Sequence, residues 1–233
     1  HYLSYQVSLP HLREFGSKIS GLVIDIGAGT GHGARYLNDS RSEYYPTDLP
    51  TGRDVTDTGV SQMPIGPVHF CSVYELPFEE GHFGGAIMLS VLEHLEQPAK
   101  GLAEIYRVLK PESYFLVSTP FAFPLHGAPD DFRRWTLPGM ENELKEAGFE
   151  IVKSANCGGG FATLAMNFHL LVRHHLPGNS RWGKALVALL LPVILVEQAV
   201  VNVLALLLDR FDRSGAFPLA IAVLAKKPKE DAG

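Results

Sequence analysis

Residues 25–31, Asp25-Ile26-Gly27-Ala28-Gly29-Thr30-Gly31, set an acidic side chain ahead of three alternate glycines. Glycine permits positive φ and lets a ligand approach backbone N–H groups with no Cβ in between. Such a loop suits a nucleotide-type ligand, and Asp48 further along offers a carboxylate able to accept from both hydroxyls of a ribose. A second set of reactive side chains lies between Phe121 and Thr136, among prolines and aromatics. Within it the imidazole of His126 is the candidate general base, while Asp131 and Arg134 are spaced to form an ion pair that anchors the segment. Cys71 and Cys157 stand far apart and in no CxxC pair. They are therefore expected to be buried free thiols, and no metal site is anticipated.

Strands and helices must bring these two sets together. The apolar run Leu22–Ile26 ends in glycines and reads as a buried parallel strand. Glu43-Tyr44-Tyr45 reads as a second, which Pro46 should end or bend because it donates no ladder hydrogen bond. Val68–Cys71, Gly85–Leu89 and Tyr114–Ser118 read as three more. Leu102, Ile105, Tyr106 and Leu109 recur at helical spacing, with Lys110-Pro111 as a stop. Thr136 should cap a further helix that Gly148 ends, followed by strands at Phe149–Ser154 and Leu219–Leu224. Alternating strands and helices predict one α/β domain over 1–233: a Rossmann-like, seven-stranded, mostly parallel sheet with helices on both faces. The helix after the glycine loop should point its N-terminal N–H groups at the ligand. Both reactive sets then meet outside the carboxyl ends of the strands.

The dinucleotide fingerprint GxGxxG would need glycine where this chain has His32. The loop is instead an acid followed by GxGxG, and further segments follow it in order: Tyr74-Glu75-Leu76-Pro77-Phe78, Phe83 through Val91-Leu92-Glu93-His94, Arg107-Val108-Leu109-Lys110-Pro111, and Gly148-Phe149. From about Gly21 to about Ile151 this series resembles the class I S-adenosylmethionine-dependent methyltransferases. The Phe121–Thr136 segment resembles the HGxPxDxxRxT stretch of a bacterial small-molecule subgroup. The resemblance implies S-adenosylmethionine as cofactor, held by Asp25, Gly27, Ala28, Gly29, Gly31, Asp48, Ser72, Val73, Leu89 and His94. It also implies a small-molecule acceptor bound by Phe121, His126, Asp131, Arg134 and Trp135, methylated at a hydroxyl oxygen of a sugar, lipid-linked or secondary-metabolite compound. Three departures stand out. Ser72 replaces an Asp that holds the adenine amino group, Gly84 replaces an Asp after Phe83, and Glu112-Ser113 replaces a Gly-Gly pair. Ser72 and Gly84 keep open a non-catalytic S-adenosylmethionine-binding protein. A nicotinamide-dependent oxidoreductase is the other rival, with His32 against it.

A formal net charge of -5 gives no nucleic-acid footprint, and 46% hydrophobic with 19% charged residues indicates a globular chain. His1–His11 lacks the basic and apolar regions of a signal peptide, which gives a cytoplasmic expectation. A helical insertion is expected at about 158–213, before the last strand. Within it 185–208 is nearly all apolar, broken by Pro192, Glu197, Gln198 and Asn202. A single membrane span is rejected, because the last strand must return to the same sheet. Three readings stand: a buried cover over the substrate pocket, a homodimer surface, or a helix lying on a membrane. The buried cover is the expectation taken, and on a helix Gln198, Asn202 and Asp209 would form one polar stripe.

Overall fold

In β1 (Gly21–Ile26) the side chains of Val23, Ile24 and Ile26 are buried together with Asp25, as expected of a strand covered on both faces. A computed structural model describes residues 2–38, 40–49, 68–176 and 180–229. Further strands are β2 (Ser42–Asp48), β3 (His69–Phe70), β4 (Phe83–Leu89), β5 (Leu109–Pro120), β6 (Glu150–Cys157) and β7 (Ala220–Lys226). They form one seven-stranded sheet in the order β3-β2-β1-β4-β5-β7-β6. The pairings β3–β2, β2–β1, β1–β4 and β4–β5 are all parallel. Glu112 N donates to Lys227 O and Lys227 N to Ser113 O, while Ser118 Oγ reaches Ile221 O, so β7 runs antiparallel to β5. The sheet is Rossmann-like and mostly parallel, with helices α1 (Tyr2–Gly16), α2 (Pro98–Val108), α3 (Leu137–Glu146), α4 (Gly160–His175) and α5 (Arg181–Asp209).

Several boundaries obey the expected local chemistry. In α2 the buried face is Gly101, Leu102, Ile105 and Val108, and the chain passes straight into β5 at Leu109, so Leu109 packs from a strand. The Thr136 side chain caps α3 by accepting from Gly139 N at 3.2 Å, and Gly148 follows at φ 97°. Pro46, however, does not end β2, which continues through it to Asp48. The reason is that β3 pairs only with Thr47 and Asp48, so no neighbouring strand requires an N–H from Pro46 on that side. The glycine loop is followed by a short 3-10 turn, His32–Tyr36, where an α-helix was expected. Loop amides, not a helix terminus, must therefore do any ligand binding there. The α1 helix carries Tyr5 and was not read from the sequence. Cys71 is only partly buried, and both cysteines are free.

Two compact units divide the chain. One comprises Leu9–Pro120, Leu125–Ala155 and Ile221–Gly233, and holds most of the sheet. The other comprises His1–Ser8, Phe121–Pro124 and Asn156–Ala220, and holds α4 and α5, the helical insertion before β7. Its own small core joins Leu3, Ala165, Met166, Ala205 and Leu219.

The insertion inverts the expected burial. Asp209 closes the N-terminus of α4, its Oδ1 accepting from Phe161 N (2.9 Å) and Ala162 N (3.1 Å) and its Oδ2 from Gly159 N (2.8 Å). Gln198 and Asn202 line a cavity with His169 and Arg173. The polar stripe of α5 thus faces α4, and the apolar residues are left outside. Leu189, Val193, Leu195, Val196, Val200 and Val203 are each more than half exposed, and an 18-residue window within Gly183–Asp209 reaches a mean hydropathy of 2.2 with none of that window buried. This corrects the reading of 185–208 as a buried cover: a helix whose polar side is used for packing has only its apolar side to show.

Candidate functional site

The glycine loop joins β1 to the 3-10 turn, and its path is held by hydrogen bonds to the end of β2. Ala28 N donates to Thr47 O at 2.9 Å, Thr47 Oγ1 to Asp25 O at 2.9 Å, and Gly29 N to Asp48 Oδ2 at 2.9 Å. Gly27, Gly29 and Gly31 all take positive φ, at 67°, 53° and 73°. A Cβ on Gly27 would lie 2.5 Å from Val91 Cγ2, so this glycine allows β1 and the chain after β4 to close together. A Cβ on Gly29 would meet nothing within 4 Å, so the loop presents bare backbone to open space there, next to the Asp48 carboxylate. An open amide cradle beside a carboxylate that already accepts N–H donors fits the adenosyl part of S-adenosylmethionine.

Asp25 sits beneath this cradle. Its carboxyl is buried, accepts the Tyr44 hydroxyl at 2.5 Å, and lies where a Cβ on Gly33 would collide with its Oδ2 at 2.3 Å. Burial pushes Asp25 up to about 7, against the pull of the Tyr44 hydrogen bond, and burial likewise raises the Tyr44 hydroxyl. Asp25 therefore supports the loop from below. Tyr44 and Gly33 were not read from the sequence. The only signal for them was position, a tyrosine on the adjoining strand and a glycine two residues past the motif.

The remaining cofactor candidates are spread along the carboxyl ends of the strands. Ser72 turns its Oγ to Tyr74 N at 3.2 Å, closing a local turn, and Val73 beside it is buried. Leu89 ends β4 and is partly exposed. The segment Leu76–Phe78 is held by Arg107, whose Nη1 donates to Phe78 O (2.8 Å) and Nη2 to Leu76 O (2.9 Å), with Glu104 accepting from Leu76 N at 2.9 Å. Gly84 has a backbone reason: a Cβ there would lie 2.7 Å from Ser20 O, so the missing aspartate reflects close strand passage.

Of the residues expected on the acceptor side, His126, Asp131 and Arg134 gather around the turn after β4. Phe132 N donates to Glu93 O (3.0 Å), Arg133 Nη1 to Leu95 O (2.8 Å), and His94 Nδ1 to Asp130 O (2.6 Å), which fastens 130–133 to 93–95. Asp131 and Arg134 form the expected ion pair at 2.5 and 2.8 Å, and those hydrogen bonds hold Asp131 well below the usual carboxylate range. Asp131 Oδ2 also accepts from His126 N at 2.9 Å and stands 3.3 Å from His126 Nδ1. His126 and His94 meet edge to face with ring centroids 4.9 Å apart. Both Nε2 atoms face Glu93 Oε1, at 3.7 and 3.8 Å. Glu93 is wholly buried, neither of its oxygens has a hydrogen-bond partner, and burial raises its pKa. His94 thus stands with the acceptor-side group, while Trp135 is buried against the start of α3 and lines no open surface. Phe121 belongs to the other compact unit, where its N–H donates to Leu219 O at 2.9 Å.

Residues 24–117 match a family profile described as "Methyltransferase domain". The chain is 27% identical over 161 residues to O-methyltransferase cnsE of Penicillium expansum, covering 60% of this chain and 57% of that protein. It is 28% identical over 190 residues to the ubiquinone/menaquinone biosynthesis C-methyltransferase UbiE of Vibrio campbellii, covering 64% and 72%. The chain thus spans little more than half the length of the first of these relatives. Among solved structures, that of the cyclase SpnF matches with a TM-score of 0.60 at 19% identity, over 97% of this chain and 81% of that one, which shows the shared fold. Profile, relatives and sheet order together make residues 24–117 similar to the core of a class I, S-adenosylmethionine-dependent methyltransferase domain.

Proposed function

We propose that the protein transfers a methyl group from S-adenosylmethionine to a hydroxyl oxygen of a small-molecule acceptor of the sugar, lipid-linked or secondary-metabolite kind. The observation that carries the reading is the Gly29 amide donating to Asp48 Oδ2 at the open face of a three-glycine loop. Asp48 would take the ribose hydroxyls, and the amides of 27–31 would face the rest of the donor. The donor, when bound, supplies an electrophilic sulfonium methyl. What the chain must add is alignment of the acceptor and a destination for its proton. The position of His126 between Asp131 and Glu93 supports it as that destination. An O-methyltransferase among the relatives supports oxygen, and a quinone-pathway C-methyltransferase supports an apolar acceptor.

Calorimetry with S-adenosylmethionine, S-adenosylhomocysteine and NADH tests the cofactor. Binding of the first two and not the third is expected, and NADH binding alone would overturn the reading in favour of an oxidoreductase. A methyl-transfer assay on extracts, wild type beside His126→Ala, tests the acceptor side. Turnover should fall by about 100-fold or more on loss of a proton acceptor. Unchanged turnover removes His126 from the reaction.

The exposed face of α5 favours work at a lipid surface. β7 lies beside β6 in the sheet, so the chain leaves and re-enters on one side, and α4, with 16 residues, is short of the roughly 20 needed to span a bilayer. The pair of helices would lie in the interface, with Lys184 before the apolar stretch and Arg210 and Arg213 after it reaching headgroups. Co-sedimentation with anionic liposomes at low salt is expected. Full recovery in the supernatant, with a dimer by sedimentation velocity, would assign that face to a second copy of the chain.

A further inference from the structure

Glu93, His94 and His126 present three donor atoms that lie within 4.8 Å of one another. Their arrangement is more specific than proximity alone. A carbonyl oxygen can only accept, so the 2.6 Å contact of His94 Nδ1 with Asp130 O places the ring proton on Nδ1 and the lone pair on Nε2. His126 Nδ1 faces both Asp131 Oδ2 at 3.3 Å and Arg134 Nη2 at 3.5 Å, and binding an ion through Nε2 takes the tautomer whose proton is on Nδ1, towards Asp131. In that arrangement both Nε2 atoms face one carboxylate oxygen, and a cation between them would engage all three donor atoms at once. Glu93 is meanwhile a buried carboxylate with neither oxygen hydrogen-bonded, a costly arrangement for a group of that charge.

We propose that Glu93 Oε1, His94 Nε2 and His126 Nε2 bind one divalent transition-metal ion of the zinc class. Two imidazoles and one carboxylate suit such an ion, and donors bound tetrahedrally at about 2.1 Å stand about 3.4 Å apart. The observed 3.7 and 3.8 Å separations to Glu93 need a small contraction, and the donor set as a whole, within 4.8 Å, closes further by rotation of the partly exposed imidazoles. Asp131 and the Asp130 carbonyl are the outer partners that metal-binding histidines ordinarily have on their other nitrogen. The imidazoles are partly exposed while the carboxylate is not, so an ion enters from the histidine side. Three protein donors leave one position for a water or an acceptor oxygen. With an ion bound, His126 Nε2 would be a ligand and not the base, and an acceptor hydroxyl on the open position would be acidified by the ion and would lose its proton to solvent water as the methyl is transferred. That use rests on the methyl-transfer reading, whereas ion binding does not.

The test is titration of chelator-treated, dialysed full-length protein with Co2+, followed by visible absorption, and with Zn2+, followed by calorimetry. One ion per chain is expected, with the intense visible bands of low-coordinate cobalt. Glu93→Gln and His94→Gln should each weaken binding by about 100-fold or more, and Asp131→Asn by about 10–100-fold. A His174→Ala/His175→Ala variant, in the exposed pair at the end of α4, should bind as wild type does. Far-UV circular dichroism and S-adenosylhomocysteine affinity on the same samples report folding. Should Glu93→Gln be misfolded, His94→Gln and Asp131→Asn still decide. No saturable binding by folded wild type, or binding indifferent to all three ligand-shell variants, overturns the site. Donor binding without metal binding refutes only the metal site, and metal binding without donor binding refutes only the methyl-transfer reading.

Discussion

Asp25→Asn separates the support role of this residue from any direct contact with the cofactor. In the folded chain burial raises the carboxyl from 3.8 to about 7. The sign follows from proton counting. Between those values the folded state keeps a proton that the unfolded chain has released, so stability falls as pH rises through the window and levels off above it. Each pKa unit corresponds to about 1.4 kcal/mol, so the shift makes the total loss on the order of 4 kcal/mol as an upper bound. Asn has no proton to lose. Its amide must find a partner beside Gly33, and whatever that costs is the same at every pH. The difference in unfolding free energy between wild type and Asp25→Asn should therefore move steadily in favour of the variant from pH 4.5 to 7.5. Other titrating groups cancel in that difference. Urea denaturation at four pH values measures it. Two parallel curves would refute the reasoning, because they would mean that Asp25 ionises in the folded protein as readily as in the unfolded one.

Three other outcomes follow from the geometry. Asp48→Ala removes the acceptor for Gly29 N and Leu49 N together with the carboxylate proposed to take the ribose hydroxyls, and should weaken S-adenosylhomocysteine binding by roughly 10–100-fold in calorimetry. Gly27→Ala should cost about 1–3 kcal/mol of stability from its φ of 67° and the contact with Val91. In a Val91→Ala background only the backbone part should remain, so additive losses in denaturation would show that Val91 is not the obstacle. Glu112 holds a φ of 69° in β5 and pairs with Lys226 at 2.7 Å. Replacing it with Gly should leave stability within about 1 kcal/mol, whereas Glu112→Val should lose about 1–2 kcal/mol more, read as a difference in thermal midpoint.

The parts of this molecule that announce themselves in sequence are those whose physics is local. Val23, Ile24 and Ile26 specify a covered strand by composition, Thr136 and Gly148 bracket a helix by capping chemistry, and positive φ at Gly27, Gly29 and Gly31 follows from residue type. Pro46 misled because its cost depends on where β3 begins, two strands away from the glycine loop. The apolar content of α5 was legible but the direction it faces was not, since the Asp209 cap and the Gln198–Asn202 contacts depend on α4. On the acceptor side the sequence picked out His126, Asp131 and Arg134. Glu93 passed as part of a family segment, and its partnership with His126 joins residues 33 positions apart. Trp135 reads as an aromatic wall in a list of residues and as filling beneath α3 in three dimensions.

Arg107 shows how the fold tolerates change in one of its most recognisable stretches. Its guanidinium grips carbonyl oxygens of Leu76 and Phe78, atoms that every amino acid possesses. The course of that bend is therefore insured against drift in its own side chains and vulnerable to a single distant replacement. Lysine at 107 would keep the charge yet lose the planar fork that spans both oxygens. A library randomised at 75 and 77 should consequently yield many folded clones, and one randomised at 107 very few.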